Sequence, residues 1–411
     1  MKKMLSLFQL GTLRNGMNYD RGSAVTGCKM IGVADFGNRV FPDYKTLQEI
    51  DSDIVSNDDL LHEGDILFVR SNGNKNLVGR SMFIKDISEP ICYSGFCIML
   101  RPNPDMVCPQ YLFYALRSPF CRKQYSYSQQ TNITNLSQTV LSAVIVPVPD
   151  YEEQVKLSRI LYNIDQKIQN NNLVCAELEA MAKTLYDYWF VQFDFPDENG
   201  RAYRTSGGEV VWNEQLKREI PKGWRIGNLY DIADFFNGIA CQRFRPRENE
   251  DGLPVIKIKE MHDGITKDTE FVTESIPEKS KIFDGDILFS WSATLEVMYW
   301  FGGNGGLNQH IFKVVPKGYF SNEYVYEQLS AYIINFVKMA EARKTTMGHI
   351  TTDHLEQSRI ALPPEDIVRR FTAAIQPLHR KSGQAKQENR ELMKLRDWLL
   401  PMLINGQARV E

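Results

Sequence analysis

The sequence predicts an α+β protein in which two similar modules are separated by a pair of long antiparallel coiled-coil helices, with pseudo-twofold internal repetition. Three observations lead there. Apolar residues recur in alternating steps of four and three from Tyr151 to Phe193. A second run of the same kind extends from Ile367 to Met402. Short motifs ahead of each run reappear in the same order in both halves of the chain.

The repeat is read motif by motif. Leu13-Arg14-Asn15-Gly16 matches Phe235-Phe236-Asn237-Gly238, and Met30-Ile31-Gly32-Val33 matches Val255-Ile256-Lys257-Ile258. Glu63-Gly64-Asp65-Ile66-Leu67-Phe68 returns as Asp284-Gly285-Asp286-Ile287-Leu288-Phe289. Cys97 to Pro102 matches Ile311 to Pro316, and Leu185 to Trp189 matches Leu395 to Leu399. The modules are placed at residues 1–149 and 224–362. Each carries short β-type runs bounded by Gly, Pro and Asn: Asp65–Val69, Val144–Val148, Val255–Lys259 and Asp286–Ser290. Helices are predicted at Pro109–Leu116 and Asn322–Ala340. Strands mixed with helices that do not alternate regularly point to α+β rather than a doubly wound sheet.

The first long helix is placed at 150–193. Asp150 with Glu153 three residues on, after Pro147 and Pro149, is a helix-start signal. Its seam reads Leu157, Leu161, Ile164, Ile168, Asn171, Cys175, Leu178, Ala182, Leu185 and Trp189. A polar Asn on such a seam costs stability but pins register. Some forty residues span about 60 Å, longer than a small domain needs for its own core. A linker rich in Pro, Gly and Asn is placed at 194–223. The second helix, 363–405, has the seam Ile367, Phe371, Ala374, Leu378, Lys381, Ala385, Glu388, Leu392, Leu395, Leu399 and Met402. Pro377 should kink it or end its first segment. Residues 406–411 form a tail. An antiparallel return brings the C-terminus back beside the first module.

Composition narrows the function classes. The 411 residues are 43% hydrophobic and 24% charged, which is ordinary for a globular protein. No apolar run is long enough for a membrane span. Lys2 and Lys3 precede an apolar stretch broken by Gln9, with no small-residue cleavage site, so a cytoplasmic chain is expected. Seven cysteines without a C-x-x-C pair argue for reduced core thiols and against zinc. A net charge of −3 excludes a protein that is basic throughout; any nucleic-acid footprint must be local.

No catalytic constellation or metal site emerges. Gly302-Gly303-Asn304-Gly305-Gly306 lacks phosphate-loop spacing and reads as a strand-connecting turn. Pro149-Asp150 with Asp165-Gln166-Lys167 formally fits a nuclease pattern. That chemistry needs carboxylates converging on a metal, whereas Asp165 sits on the coiled-coil helix.

Gly285-Asp-Ile-Leu-Phe-Ser-Trp-Ser292, Leu307-Asn-Gln-His-Ile-Phe-Lys313, Pro221-Lys-Gly-Trp224 and Leu395-Arg-Asp-Trp-Leu-Leu-Pro401 together resemble the DNA-specificity (S) subunits of type I restriction–modification systems. The likeness covers the whole chain in the order module, helix, module, helix. The first module has no counterpart of Pro221–Trp224. The resemblance implies that the modules are target recognition domains, each reading half of a split double-stranded DNA site. It implies a helix pair that docks two methyltransferase (M) subunits, with restriction/translocase (R) subunits joining that core. It also implies a non-catalytic targeting chain, with S-adenosylmethionine, ATP and magnesium held by the partners. The rivals are a self-contained nuclease and a two-module scaffold that binds proteins.

Specific DNA contact calls for Arg, Lys, Asn or Gln at groove edges and donors to phosphates. The first-module candidates are Arg70, Asn72, Asn74, Lys75 and Arg80, which follow the shared Gly-Asp-Ile-Leu-Phe run, and Gln130, Thr131 and Asn132. The second-module candidates are Arg243, Arg245, Arg247, Trp291, Lys344, Thr345 and Thr346. The alternative for each is a solvated loop residue. As groups they are favoured because a net-acidic chain concentrates its positive charge there. Leu157, Leu161, Ile164, Ile168, Asn171, Leu178, Leu185, Trp189, Leu378, Leu392, Leu395 and Leu399 are the expected seam and subunit-interface residues.

Overall fold

The computed structural model describes residues 2–18, 27–37, 39–73, 77–126, 135–248, 250–292, 294–342, 350 and 352–408. The chain forms two compact units. The first comprises Met1–Asn170 with Glu391–Glu411, the second Asn171–Arg390.

Both units are wired alike. In the first, a four-stranded antiparallel sheet has the order Gly11–Asn15, Cys97–Pro102, Ile66–Val69, Ser81–Phe83. In the second, the order is Ala233–Asn237, Ile311–Pro316, Ile287–Ser290, Glu296–Tyr299. A smaller sheet follows the same rule: Cys28–Ile31 pairs antiparallel with Gln48–Ile50 and parallel with Ile91–Tyr93. Gly252–Ile256 likewise pairs with Phe271–Thr273 and Gly305–Leu307. Lys3–Ser6 pairs with Ile145–Val148 as Arg225–Gly227 pairs with Ile360–Leu362. The first module therefore has its opening strand although it lacks the Pro-Lys-Gly-Trp lead-in.

The recurring Gly-Asp-Ile-Leu-Phe run has a structural cause. Ile66 and Phe68 face one buried cluster while Leu67 and Val69 face another. Ile287 and Phe289 are likewise divided from Leu288. A strand buried on both faces must be apolar throughout. Gly64 and Gly285 turn at φ 85° and 94°, a region that favours glycine. Asp65 accepts the His62 N–H at 2.7 Å and pairs with Arg101 at 2.8 Å. Asp286 accepts the Phe283 N–H at 2.8 Å and pairs with Lys313 at 2.7 Å.

One expected strand is cut short. Val255–Lys259 becomes the end of strand Gly252–Ile256 followed by a helix, Ile258–Asp263. The Lys257 N–H is taken by the Glu260 carboxylate at 3.2 Å, and Gly264 at φ 71° ends the helix. Local capping wins over the short alternation. Residues 194–223, expected as a linker, hold the hairpin Val210–Asn213/Arg218–Pro221. They also bury Phe195, stacked on Tyr203 and Trp224.

The first long helix runs Tyr151–Tyr186 and continues as a π-helical turn, Asp187–Val191. Asp150 caps it, accepting the Glu153 N–H at 2.9 Å. Leu157, Leu161, Ile164, Asn171 and Trp189 are buried, and Ile168, Leu178 and Leu185 half-buried. The second long helix runs Glu365–Asn405 and does not end at Pro377. Pro377 and Ala373, whose carbonyl loses its donor, are exposed, so water can serve that carbonyl.

The seam of this second helix differs from expectation. Leu378, Leu392 and Leu399 lie on it, half-buried, but its other column is shifted by one residue. Ile375, Ser382, Asn389 and Leu403 are buried, whereas Ala374, Lys381, Glu388 and Leu395 are exposed. Leu395 is thus not a helix–helix contact. The true column carries Ser, Asn and Arg396, so an apolar count favours its neighbour.

Contacts along the helices show an antiparallel pair. In the second unit, Asn171 Nδ2 donates to Asn389 Oδ1 at 2.9 Å and to Glu388 Oε2 at 2.8 Å. Asn389 Nδ2 donates to Asn172 Oδ1 at 2.8 Å. Further along, Ser382 Oγ donates to Glu179 at 3.2 Å. In the first unit, Arg396 pairs with buried Asp165 at 2.9 Å, and Tyr114 Oη donates to the same carboxylate at 2.7 Å. Burial, then the Asp165 charge, holds the Tyr114 hydroxyl well above its ordinary range, so it remains a donor.

All cysteines are buried thiols. Among the described residues no helix is long and apolar enough to cross a membrane.

Candidate nucleic-acid interface

At one end of each four-stranded sheet the strand ends and their turns are joined by the same backbone hydrogen bonds. In the first unit, Gly16 N–H donates to Cys97 O, Met17 N–H to Tyr93 O, and Gly95 N–H to Met17 O. Ser94 N–H donates to Ile31 O, Arg70 N–H to Phe96 O, and Leu136 N–H to Arg70 O. In the second unit, Gly238 donates to Ile311, Ile239 to Leu307, and Gln309 to Ile239. Asn308 donates to Ile256, Trp291 to His310, and Ile350 to Trp291. Position by position, Arg70 therefore corresponds to Trp291 and Phe96 to His310.

Side chains dress this frame differently. Arg70 Nη1 donates to Gly95 O at 3.3 Å. Trp291 Nε1 donates to Asn237 Oδ1 at 3.1 Å, and its ring lies 5.5 Å from His310 and 5.9 Å from Phe312. Phe96, Gln309 and His310 are exposed on their turns. Behind the first frame, burial pushes the Tyr93 hydroxyl and the Cys97 thiol each up to about 12, so both stay neutral. Arg14, on the adjoining strand, is paired with Asp58 and Asp59 at 2.9 and 3.0 Å.

The basic turn Cys241–Phe244 continues directly from the second frame. Cys241 is buried and Phe244 and Pro246 are half-buried, while Arg243, Arg245 and Arg247 alternate with them into solvent. This outward row suits phosphate contacts. In the first unit, Arg80 Nη1 is held by Gly37 O at 2.5 Å, and Asn72 is half-buried. Asn74, Lys75, Gln130, Thr131, Asn132, Lys344, Thr345 and Thr346 lie outside the described residues.

The frame brings Arg70 and Trp291 to matching places, which their position after the shared strand made legible. It adds Asn237, Phe96 and His310, which sequence scanning passed over. Phe96 and His310 have a signal in their place before a repeated strand, Cys97–Pro102 and Ile311–Pro316, whereas Asn237 ends the strand Ala233–Asn237 in the repeated Asn-Gly pair. The nuclease pattern finds no support: Asp150 caps a helix and Asp165 is engaged by Arg396 and Tyr114.

Comparison with known proteins agrees with this geometry. The chain is 27% identical over 321 residues to the type I restriction enzyme MjaIX specificity subunit of Methanocaldococcus jannaschii, covering 75% of this chain and 71% of that protein. It is 24% identical over 403 residues to the HindI specificity subunit of Haemophilus influenzae, covering 84% and 87% respectively. The crystal structure of a type I restriction–modification S subunit from M. genitalium shares the fold with a TM-score of 0.52 at 15% identity, over 98% of this chain and 96% of that one. The family model for the type I restriction modification DNA specificity domain matches residues 29–180 and again 221–392. With one match on each half, the chain belongs to the type I restriction–modification DNA specificity family, whose domain it carries twice.

Proposed function

We propose that this chain is the targeting subunit of a type I restriction–modification complex and that each unit reads one half of a split double-stranded DNA site. The observation that carries this reading is the doubled family domain, with the same backbone frame presenting different side chains in each copy. The exposed Arg243, Arg245 and Arg247 supply positive charge for phosphates beside one frame. The chain itself binds no cofactor; S-adenosylmethionine, ATP and magnesium belong to two methyltransferase subunits and to the restriction subunits, all in the cytoplasm. The long helices dock the methyltransferases. Leu395 and Trp398, outside the helix seam and 44% and 60% exposed, are the contacts we assign to that docking.

The test is methylation mapping in a cell that expresses this chain with its methyltransferase subunit. A split sequence with a fixed non-specific gap is expected. Methylation without a defined sequence, or DNA cleavage by the purified chain with magnesium alone, contradicts the proposal.

A further inference from the structure

We propose that Arg70 with Phe96, and Trp291 with His310, are the specificity-determining pairs of the two half-sites. This rests on the DNA-reading function proposed above and goes further by assigning residues to halves.

The two frames share their backbone hydrogen bonds, from Gly16–Cys97 and Gly238–Ile311 through Leu136–Arg70 and Ile350–Trp291. Inward positions keep an apolar character: Ile31 and Ile256, Tyr93 and Leu307, Cys97 and Ile311, Leu136 and Ile350 are all buried. The remaining positions diverge in chemistry: half-buried Arg70 and exposed Phe96 stand where half-buried Trp291, packed on the core, and exposed His310 stand in the other copy. A scaffold kept constant while these side chains change is suited to reading different sequences from one geometry.

The side chains suggest what each would read. The Arg70 guanidinium has further N–H donors beyond the one held by Gly95 O at 3.3 Å. Arginine recognises guanine through O6 and N7. Phe96, 56% exposed, offers an apolar face to a thymine methyl. Trp291 has its indole N–H tied to Asn237 at 3.1 Å, which fixes the ring and leaves imidazole chemistry to the exposed His310. The half-site read by the first unit should therefore contain a G·C pair that the variant at Arg70 no longer requires.

The experiment uses the full chain in complex with its methyltransferase subunit and maps methylated sequences. Phe96→Ala and Arg70→Ala should relax one half of the target, with roughly tenfold weaker methylation of the original sequence, and leave the other half intact. His310→Ala and Trp291→Phe should do the same to the opposite half. The exposed Phe96 and His310 variants should keep the wild-type melting temperature, which separates lost reading from lost folding. Unchanged target sequences in the Phe96 and His310 variants overturn the assignment, as does a change in the same half for both. Either result leaves DNA reading standing. Failure of the wild-type complex to methylate a split sequence defeats the DNA reading itself. Should Arg70→Ala or Trp291→Phe lower the melting temperature, the exposed Phe96 and His310 variants decide.

Discussion

Asn15-Gly16 and Asn237-Gly238 owe their recurrence to crowding. A Cβ on Gly16 would lie 2.3 Å from Ser94 O, and one on Gly238 would lie 2.2 Å from Asn308 O. Carbonyl groups hydrogen-bonded into the frame cannot retreat cheaply, so Gly238→Ala should cost about 1–3 kcal/mol. Denaturant unfolding monitored by tryptophan fluorescence checks this, and hydrogen exchange should localise the loss to the second unit. Arg396 and Asp165 form a largely buried ion pair in the first unit. The side chain of Asp165 is 2% exposed and that of Arg396 16%. Arg396→Ala leaves a buried carboxylate with Tyr114 but without this cation, and a loss of about 3–5 kcal/mol is expected. Arg396→Ala combined with Asp165→Asn should recover part of it. Equal stability of the single and double variants would show that the buried charge is not the cause.

At the scale of the element, the long helices show how far apolar counting reaches. The first seam was legible because its positions, buried and half-buried together, are mostly Leu and Ile. The second was legible in one column only, since Ser382, Asn389 and Arg396 occupy the other. Polar residues enter a seam when they find partners across it, and a single sequence does not display those partners. The same limit applies to the candidate interface. Arg70 and Trp291 follow a repeated strand, so the chain itself marks them. His310 also borders a repeated strand, but it and Asn237 meet Trp291 because distant strand ends are hydrogen-bonded side by side. Asn171→Leu should leave Asn389 short of one partner and cost about 1–3 kcal/mol. The double variant Asn171→Leu/Asn389→Leu should regain stability but lose uniqueness of register, visible as broadened cross-peaks in NMR spectra. Trp398→Ala should keep the fold and its melting temperature yet weaken methyltransferase assembly, measurable by light scattering.

In the whole molecule, segments far apart in sequence share a unit. The first unit's core includes Leu157 and Leu161 from the start of one long helix and Leu403 and Ile404 from the end of the other. The second unit's core holds Phe371 from a helix start and Trp189 from a helix end, with rings 5.5 Å apart. Lys2 Nζ also donates to Ile404 O at 2.6 Å. Truncation after Arg390 should therefore strip protection from residues 28–170 in hydrogen exchange and spare the second unit. Loss of protection in both units to the same degree would show that the units do not fold separately.

The order of segments has a further meaning for a chain made from its N-terminus. The second unit is one continuous stretch, Asn171–Arg390, whereas the first is closed by Glu391–Glu411. During synthesis residues 1–170 must wait for residues 391–411 before the first unit has all the segments described here. The later-made unit has all its parts earlier, and the earlier-made one lacks Leu403 and Ile404, which share its core with Leu157 and Leu161, until residues 391–411 are made. Protease applied to ribosome-bound chains halted near Arg390 should find the N-terminal stretch cleavable, and chains in which residues 391–411 have emerged should resist it.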